Sequence, residues 1–318
     1  MRMARRSAGA VAIALLASVL APVALPAVAA THRRPPTAFV PLRAPAPLAA
    51  FDPAAGPGQG RWHPAGRLVY GRPAVYETTL VVPATGQEAG IAWMDPRLLR
   101  AQLYSGSESP GGGPWKLTAP ILPSAARTLV AAFNGGFRYC SGGGYYSEGR
   151  LACPLGQGGA SFVIYRDGDA TVGAWGRDVS MSKQVIAVRQ DVTLLVDGGQ
   201  VVTGLNPYDI SEWGYTLGGI PNVWRAGLGV TARGALVYVY GADMEVTQLA
   251  ELLVRAGAVR AMTLDINPDW TVFVTYKPSP GAPASPAYGS SLLPGTIQGP
   301  ATFFDPSWAR DFVTMAVR

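Results

Sequence analysis

The sequence is poor in the residues that most enzymes draw on for acid–base or metal chemistry. Its 318 residues include two histidines, His32 and His63, and two cysteines, Cys140 and Cys153. Both histidines precede the body of the chain, His32 in the tail behind an apolar leader and His63 in a Pro- and Gly-rich approach. A Ser-His-Asp triad, a His-x-x-x-His zinc site and a phosphoryl-carrying histidine are thereby excluded, because each needs a histidine in the folded body. Chemistry must run on carboxylates, arginines, amides and tyrosines. Concentrated positive charge is also missing. The formal charge is +6, three of it from arginines in the first thirty residues, and Arg33-Arg34 is the last basic pair of note. A nucleic-acid binder carries a concentrated basic face, so no nucleic-acid partner is expected.

What is present begins with a leader. Arg2, Arg5 and Arg6 are followed by an apolar run over 8–23 and by Ala27-Val28-Ala29-Ala30. A basic start, a short apolar stretch and small residues before a cut describe a secretory signal peptide over 1–30, with cleavage after Ala29 or Ala30. The run is short for a membrane span, so no stable span is expected after cleavage, and the product is expected to be secreted, extracellular or cell-wall associated. Residues 31–60 are rich in Pro, Ala and Gly and read as a flexible linker. A single domain is expected over 61–318. In an exported chain, one nearby cysteine pair is expected to form one disulfide between Cys140 and Cys153. Two thiolates without a nearby histidine make a poor zinc site.

The 39 glycines and 28 prolines separate many short β-branched or aromatic runs. The fold class expected is α+β, mostly mixed or antiparallel sheet with few helices. Strands are predicted over 68–70, 75–82, 91–94, 98–104, 127–133, 161–165, 170–175, 185–189, 192–196, 226–231, 235–240, 259–264 and 271–276, with a closing strand over 311–317. Asp167-Gly168 and Arg233-Gly234 mark hairpins. One helix is clear: Val246, Leu249, Ala250 and Leu253 follow i, i+3, i+4, i+7, and Gly257 suits the left-handed position after a helix end.

Three segments together resemble the phosphodiester glycosidase family. Ala132-Phe133-Asn134-Gly135-Gly136-Phe137 is similar to the family's Asn-Gly-Gly-Phe-Phe signature. Trp224-Arg225-Ala226-Gly227-Leu228-Gly229-Val230 resembles its arginine followed by a glycine-bounded apolar strand. The helix followed by Leu264-Asp265 resembles the third segment, where the family typically continues Leu-Asp-Gly-Gly-Gly-Ser. This chain instead reads Leu264-Asp265-Ile266-Asn267-Pro268, similar to exported actinobacterial proteins, and Arg138 replaces the second phenylalanine. Order and spacing agree over about half of the mature chain. The resemblance implies hydrolysis of a sugar-1-phosphodiester or related glycosidic linkage in an extracellular or cell-wall glycan, with a carbohydrate or sugar-phosphate substrate. It also leaves open a non-catalytic glycan-binding or envelope-associated module on the same fold, or glycosyl transfer in exopolysaccharide remodelling.

The residues themselves carry part of this reading. Asn134-Gly135-Gly136, with Phe137, sits where a strand meets a loop. Such glycines expose N–H groups that bind anions, though the same sequence also serves as a plain tight turn. Arg225 carries a fork suited to two phosphodiester oxygens or to a structural ion pair. Asp265, at the end of an apolar strand, is the candidate base, nucleophile or oxocarbenium stabiliser, with Asn267 beside it; the bland alternative is a loop cap. Glycosidic cleavage usually needs two carboxyl groups, and Glu148 or Asp197 is the second candidate, each otherwise a solvated loop residue. Trp213, Trp224 and Trp270 suit sugar faces or a core. No cofactor is expected. A divalent cation on Asp265, Asn267 and Asp269 is the minor alternative: the spacing resembles the start of an EF-hand loop, against which stand Pro268 and the missing later ligands.

Overall fold

The computed structural model describes residues 40–52, 56–111 and 113–318; the leader and His32 lie outside them. The described chain contains strands β1 (His63–Ala65), β2 (Val75–Val81), β3 (Glu88–Met94), β4 (Leu99–Tyr104), β5 (Leu129–Asn134), β6 (Tyr145–Ser147), β7 (Arg150–Cys153), β8 (Ala160–Tyr165), β9 (Ala170–Ala174), β10 (Val185–Gln190), β11 (Leu194–Asp197), β12 (Gln200–Val201), β13 (Val223–Thr231), β14 (Leu236–Met244), β15 (Ala258–Thr263), β16 (Phe273–Tyr276), β17 (Gly289–Ser291) and β18 (Phe312–Val317). Its helices are α1 (Pro123–Ala126), α2 (Ile210–Trp213) and α3 (Val246–Arg255). The strands form an eight-stranded sheet ordered β1-β2-β3-β14-β13-β15-β11-β12 and two five-stranded sheets, β7-β6-β10-β8-β9 and β17-β16-β5-β18-β4; His63, which the sequence places ahead of the folded body, instead opens the edge strand β1, opposite Glu77 of β2. The β-rich class with few helices is therefore as the composition predicts. No described helix is long and apolar enough to cross a membrane.

The eight-stranded sheet is covered on both faces, and the alternation of side chains assigns them. Along β13, Ala226, Leu228 and Val230 face a core shared with Phe133, Phe273 and Tyr238. The intervening Gly227 and Gly229 lie on the opposite face, where a methyl group would press on Leu253 and Leu249 of α3 in one case and on Ala258 and Ala261 of β15 in the other. Gly227 thus lets the helix approach the sheet closely, and Gly229 lets β15 pack against β13. Helix α3 buries Val246, Leu249, Ala250 and Leu253, is opened by a reciprocal Glu245–Gln248 capping box, and is followed by Gly257 at φ 90°, so both of its end signals act as capping chemistry dictates.

Residues 31–60 read as a linker, and the part described differs from that reading. Leu42, Leu48 and Phe51 pack against the α3-side core. The Leu42 N–H donates to Asp95 Oδ2 at 2.7 Å, and the Arg255 guanidinium lies 3.8 Å over the Phe51 ring. Three apolar side chains, rather than overall composition, hold this segment as a strap. The cysteines form the expected disulfide, Cys140–Cys153, which closes the Gly-rich excursion between β5 and β7.

Candidate functional site

The site is built where β5 ends. Asn134 is buried, and its Oδ1 accepts from Tyr238 Oη at 2.6 Å and from the Val272 amide at 3.1 Å, while its Nδ2 donates to the Gly135 carbonyl at 2.8 Å. Its amide therefore ties β5 to β14 and to the entry of β16. Gly135 continues the junction: its N–H donates to the Asp311 carbonyl at 2.8 Å, and its carbonyl accepts from the Asp265 amide at 3.2 Å. The first and third motif segments thus meet through the main chain.

The turn that follows cradles a carboxylate of the chain itself. The Phe137 N–H donates to Asp191 Oδ2 at 3.0 Å. A methyl group on Gly136 would collide with that same oxygen, and one on Gly142 would collide with Asp191 Oδ1. Both glycines are needed because the carboxylate lies against their backbone. Asp191 is fully buried, and its Oδ1 has no hydrogen-bond partner among the described residues. Burial pushes its pKa up to about 7; Arg189 and the Phe137 amide oppose the rise, and the charges of Asp265 and Asp311 add to it.

Asp265 is held by different anchors, with Arg310 as its charged partner. Its Oδ2 accepts from Arg310 Nη2 at 2.6 Å, and its Oδ1 accepts from the amides of Ile266 and Asn267 at 2.8 and 3.0 Å. Burial raises its pKa, with Arg310 and these two amides opposing. Arg310 keeps two further buried donors, Nε and Nη1, without partners among the described residues, and its guanidinium lies 5.1 Å from the centre of the Trp270 ring. Beside them a second buried pair, Arg189 with Asp311 at 2.9 Å, also reaches the Phe137 carbonyl. The cluster is thus three carboxylates and two guanidiniums in one low-dielectric volume, with one acceptor and two donors left over.

The structure distributes the remaining candidates widely. Asn134, Gly135, Gly136, Phe137, Asp265 and Asn267 come together at this junction. Arg225 is buried on the α3 side of β13, and its Nε, Nη1 and Nη2 donate to the carbonyls of Met244, Trp213 and Pro221 at 2.9, 3.4 and 2.9 Å. Loss of solvent lowers its pKa to about 10, with Glu245 opposing. Glu148 caps a loop, accepting from the amides of Lys116 and Leu117. Asp197 joins a surface ion pair with Arg177 at 2.8 Å. Exposed Asn267 accepts from the Asp269 amide at 2.8 Å. Among the described residues no group of three or more His, Cys, Asp or Glu side chains is placed to hold a metal ion. Sequence reasoning missed Arg189, Asp191, Arg310 and Asp311. The signal available was two adjacent Arg/Asp combinations, Arg189-Gln190-Asp191 and Arg310-Asp311, each directly abutting an apolar strand.

No family model and no curated protein matches this chain. Among solved structures, its fold aligns with the zebrafish N-acetylglucosamine-1-phosphodiester alpha-N-acetylglucosaminidase catalytic domain, auto-inhibited by its pro-peptide. Identity there is 17%, over 81% of this chain and 88% of that chain, with a TM-score of 0.48. A hypothetical protein from Synechocystis aligns at 12% identity over 78% of this chain and 63% of that one, with a TM-score of 0.44. A Burkholderia pseudomallei protein titled "Putative exported protein" aligns at 12% over 72% of this chain and 74% of that one, with a TM-score of 0.34. Likenesses this distant leave the chemistry to be argued from the site itself.

Proposed function

We propose that this chain is an exported glycan hydrolase, cleaving a sugar-1-phosphodiester or related glycosidic linkage in an extracellular or cell-wall polymer. The observation that carries the reading is the pair Asp191 and Asp265. They are two buried carboxyl groups on either side of the Gly135-Gly136 turn, the charge of Asp265 helping to raise the pKa of Asp191, and each is held by different partners. Two carboxyl groups in unequal environments are what glycosidic cleavage requires. Asp191, with a pKa near neutrality, is fitted to donate a proton to the leaving oxygen. Asp265, tied to Arg310 and two amides, is fitted to carry negative charge as base, nucleophile or stabiliser of an oxocarbenium ion. The two spare donors of Arg310 are suited to a phosphoryl or sugar oxygen, which a guanidinium binds well in a site closed to water. The disulfide supports an oxidising, extracellular setting.

A second reading, a non-catalytic glycan-binding module, is favoured by the closure of the cluster: Asp265 is 3% and Arg310 6% exposed. Turnover of a 4-nitrophenyl sugar phosphodiester separates the two. Release of the free sugar with 4-nitrophenyl phosphate by the wild type, read as nitrophenol only after a phosphatase is added, abolished in a folded Asp265→Asn variant and lowered in a folded Asp191→Asn variant, supports hydrolysis of the glycosidic bond. Saturable glycan binding with no product supports the module.

A further inference from the structure

The strap formed by residues 40–52 creates a second feature, remote from the carboxylates. A cavity of about 720 Å³ opens between the strap residues Leu42 to Pro47 and the sheet, floored by Trp93 and walled by Thr231, Arg233 and Gly257. Across the same strap segment lies another cavity, of about 560 Å³, lined by Ala44, Pro45, Pro47, Arg61, Trp62 and Tyr76. Trp93 belongs to the α3-side core, whereas Tyr238, which bonds Asn134, belongs to the core on the other face. The two cavities therefore lie across the eight-stranded sheet from the Asn134 junction.

Their lining is one-sided in charge. Arg43, Arg61 and Arg233 are exposed, and among the described residues no Asp or Glu lines either cavity. None of the three has an ion-pair partner among the described residues. Between the arginines stand rings: Trp62, whose Nε1 donates to the Ala46 carbonyl at 2.8 Å, and Tyr76, edge-on to Trp93 with centroids 5.9 Å apart. Unpaired guanidiniums bind sulfate, carboxylate and phosphate groups, and half-buried rings offer faces to sugars. Arg61 also borders Glu77 in a third cavity, so the charge open to a ligand is carried chiefly by Arg43 and Arg233.

We propose that the strap groove is a binding site for an anionic polysaccharide, the arginines pairing with its charged substituents and Trp62 and Tyr76 with its rings. The site is separate from the carboxylate cluster and stands whether or not that cluster is catalytic.

The test is calorimetric titration of the full mature chain with a heparin-derived octasaccharide, neutral dextran and linear polyphosphate at two salt concentrations. Saturable octasaccharide binding is expected, weakening as salt rises, quenching tryptophan fluorescence, and falling at least about tenfold in Arg43→Glu/Arg233→Glu. Dextran is expected not to bind. Both arginines are exposed, and a wild-type circular dichroism spectrum and melt confirm that the variant folds. Octasaccharide affinity unchanged in the folded variant overturns the proposal. So does polyphosphate binding as tightly as the octasaccharide, since rings would then play no part. If the variant fails to fold, the wild-type fluorescence titration decides: no quenching at saturation overturns the proposal.

Discussion

Arg310 and Asp265 meet across a 2.6 Å hydrogen bond from positions 45 residues apart, and both are nearly closed to solvent. Deleting one member of such a pair leaves the other charge buried and uncompensated, at a cost of about 3–5 kcal/mol. Asp265→Ala is therefore expected to lower the urea midpoint severely. Asp265→Asn keeps the volume and the acceptor for the Ile266 and Asn267 amides but turns an NH2 toward Arg310 and removes its counter-charge, so it is expected to lower the midpoint less than the alanine variant and, under conditions where it is folded, to cut turnover by about 10²–10⁴-fold, the usual worth of an acid–base group. Denaturant unfolding and initial rates on an aryl sugar phosphodiester check the two halves. An Asn variant with wild-type turnover removes Asp265 from the chemistry.

Asp191 gives a pH signature. The native state holds its proton up to about pH 7, whereas an unfolded carboxyl releases it near the ordinary value of 3.8. Between these values the native state binds more protons, so this group's contribution is complete below about pH 4 and is lost as pH rises through about 7. The stability difference between wild type and Asp191→Asn should therefore move against the wild type across that window. Urea unfolding at several pH values measures it, and subtracting the variant isolates Asp191 from other titrating groups. If Asp191 is also the proton donor, turnover of a substrate with a poor leaving group should decline about tenfold per pH unit above 7. The Asn variant should lose that limb.

Gly142 and Gly136 make the same carboxylate testable through the backbone. A methyl group at either position would overlap an oxygen of Asp191, which is wedged between the turn and β10. Gly142→Ala is expected to cost about 1–3 kcal/mol by overpacking and to displace Asp191. Gly149, a loop glycine where a methyl group would meet nothing within 4 Å but φ is 77°, is the control for backbone strain alone. Thermal melts of the two alanine variants, read beside their turnover, separate the effects: only Gly142→Ala should suppress activity.

Much of the fold was legible because its signals are local. Alternation and turn residues located β2, β8, β9 and β14 to within a few residues, and helical periodicity with its capping residues located α3. Missed were short strands such as β6 and β7, whose three or four residues lie inside a Gly-rich excursion that reads as loop. The site was half legible. Asn134, the two glycines and Asp265 stand at strand ends, where polar residues are conspicuous. Asp191, Arg310 and Asp311 also stand beside apolar strands, but their importance lies in facing one another across 45 to 120 residues, and pairing at that distance leaves no local trace. Glu148 and Asp197 drew attention as carboxylates near glycines, yet their oxygens are committed to the amides of 116 and 117 and to Arg177.

The Cys140–Cys153 bond closes a loop that carries Gly142, whose carbonyl accepts from the Val192 amide beside Asp191. A loop of this length constrains the unfolded chain by about 3 kcal/mol in the chain-entropy model. Cys140→Ser/Cys153→Ser is expected to lose stability of that order. Because the loop also forms one wall of the Asp191 cradle, activity should fall under reductant before the chain unfolds. Parallel activity and circular dichroism during dithiothreitol titration show whether the two losses separate; if they coincide, the disulfide acts on global stability alone.

Arg225 offers the sharpest choice between a ligand role and a structural one. Its donors reach the carbonyls of Trp213 and Pro221, the two residues that bracket the loop 214–220, and of Met244 at the end of β14. That loop lies against the site: a methyl group on Gly214 would collide with Ile266 and approach Phe137. A guanidinium spent on three carbonyls has little left for a phosphodiester, so the geometry predicts a clamp that positions the rim. Arg225→Ala would strand buried carbonyls at about 1–3 kcal/mol each. It should lower stability markedly, open 214–220 to proteolysis and raise KM more than it lowers kcat. Arg225→Lys, which reaches at most part of the set, should fall between. A direct phosphate ligand would behave differently, with Arg225→Ala stable, the loop still protected and turnover of phosphodiesters lost selectively over that of neutral glycosides. Limited proteolysis with kinetics on both substrate types decides between the two.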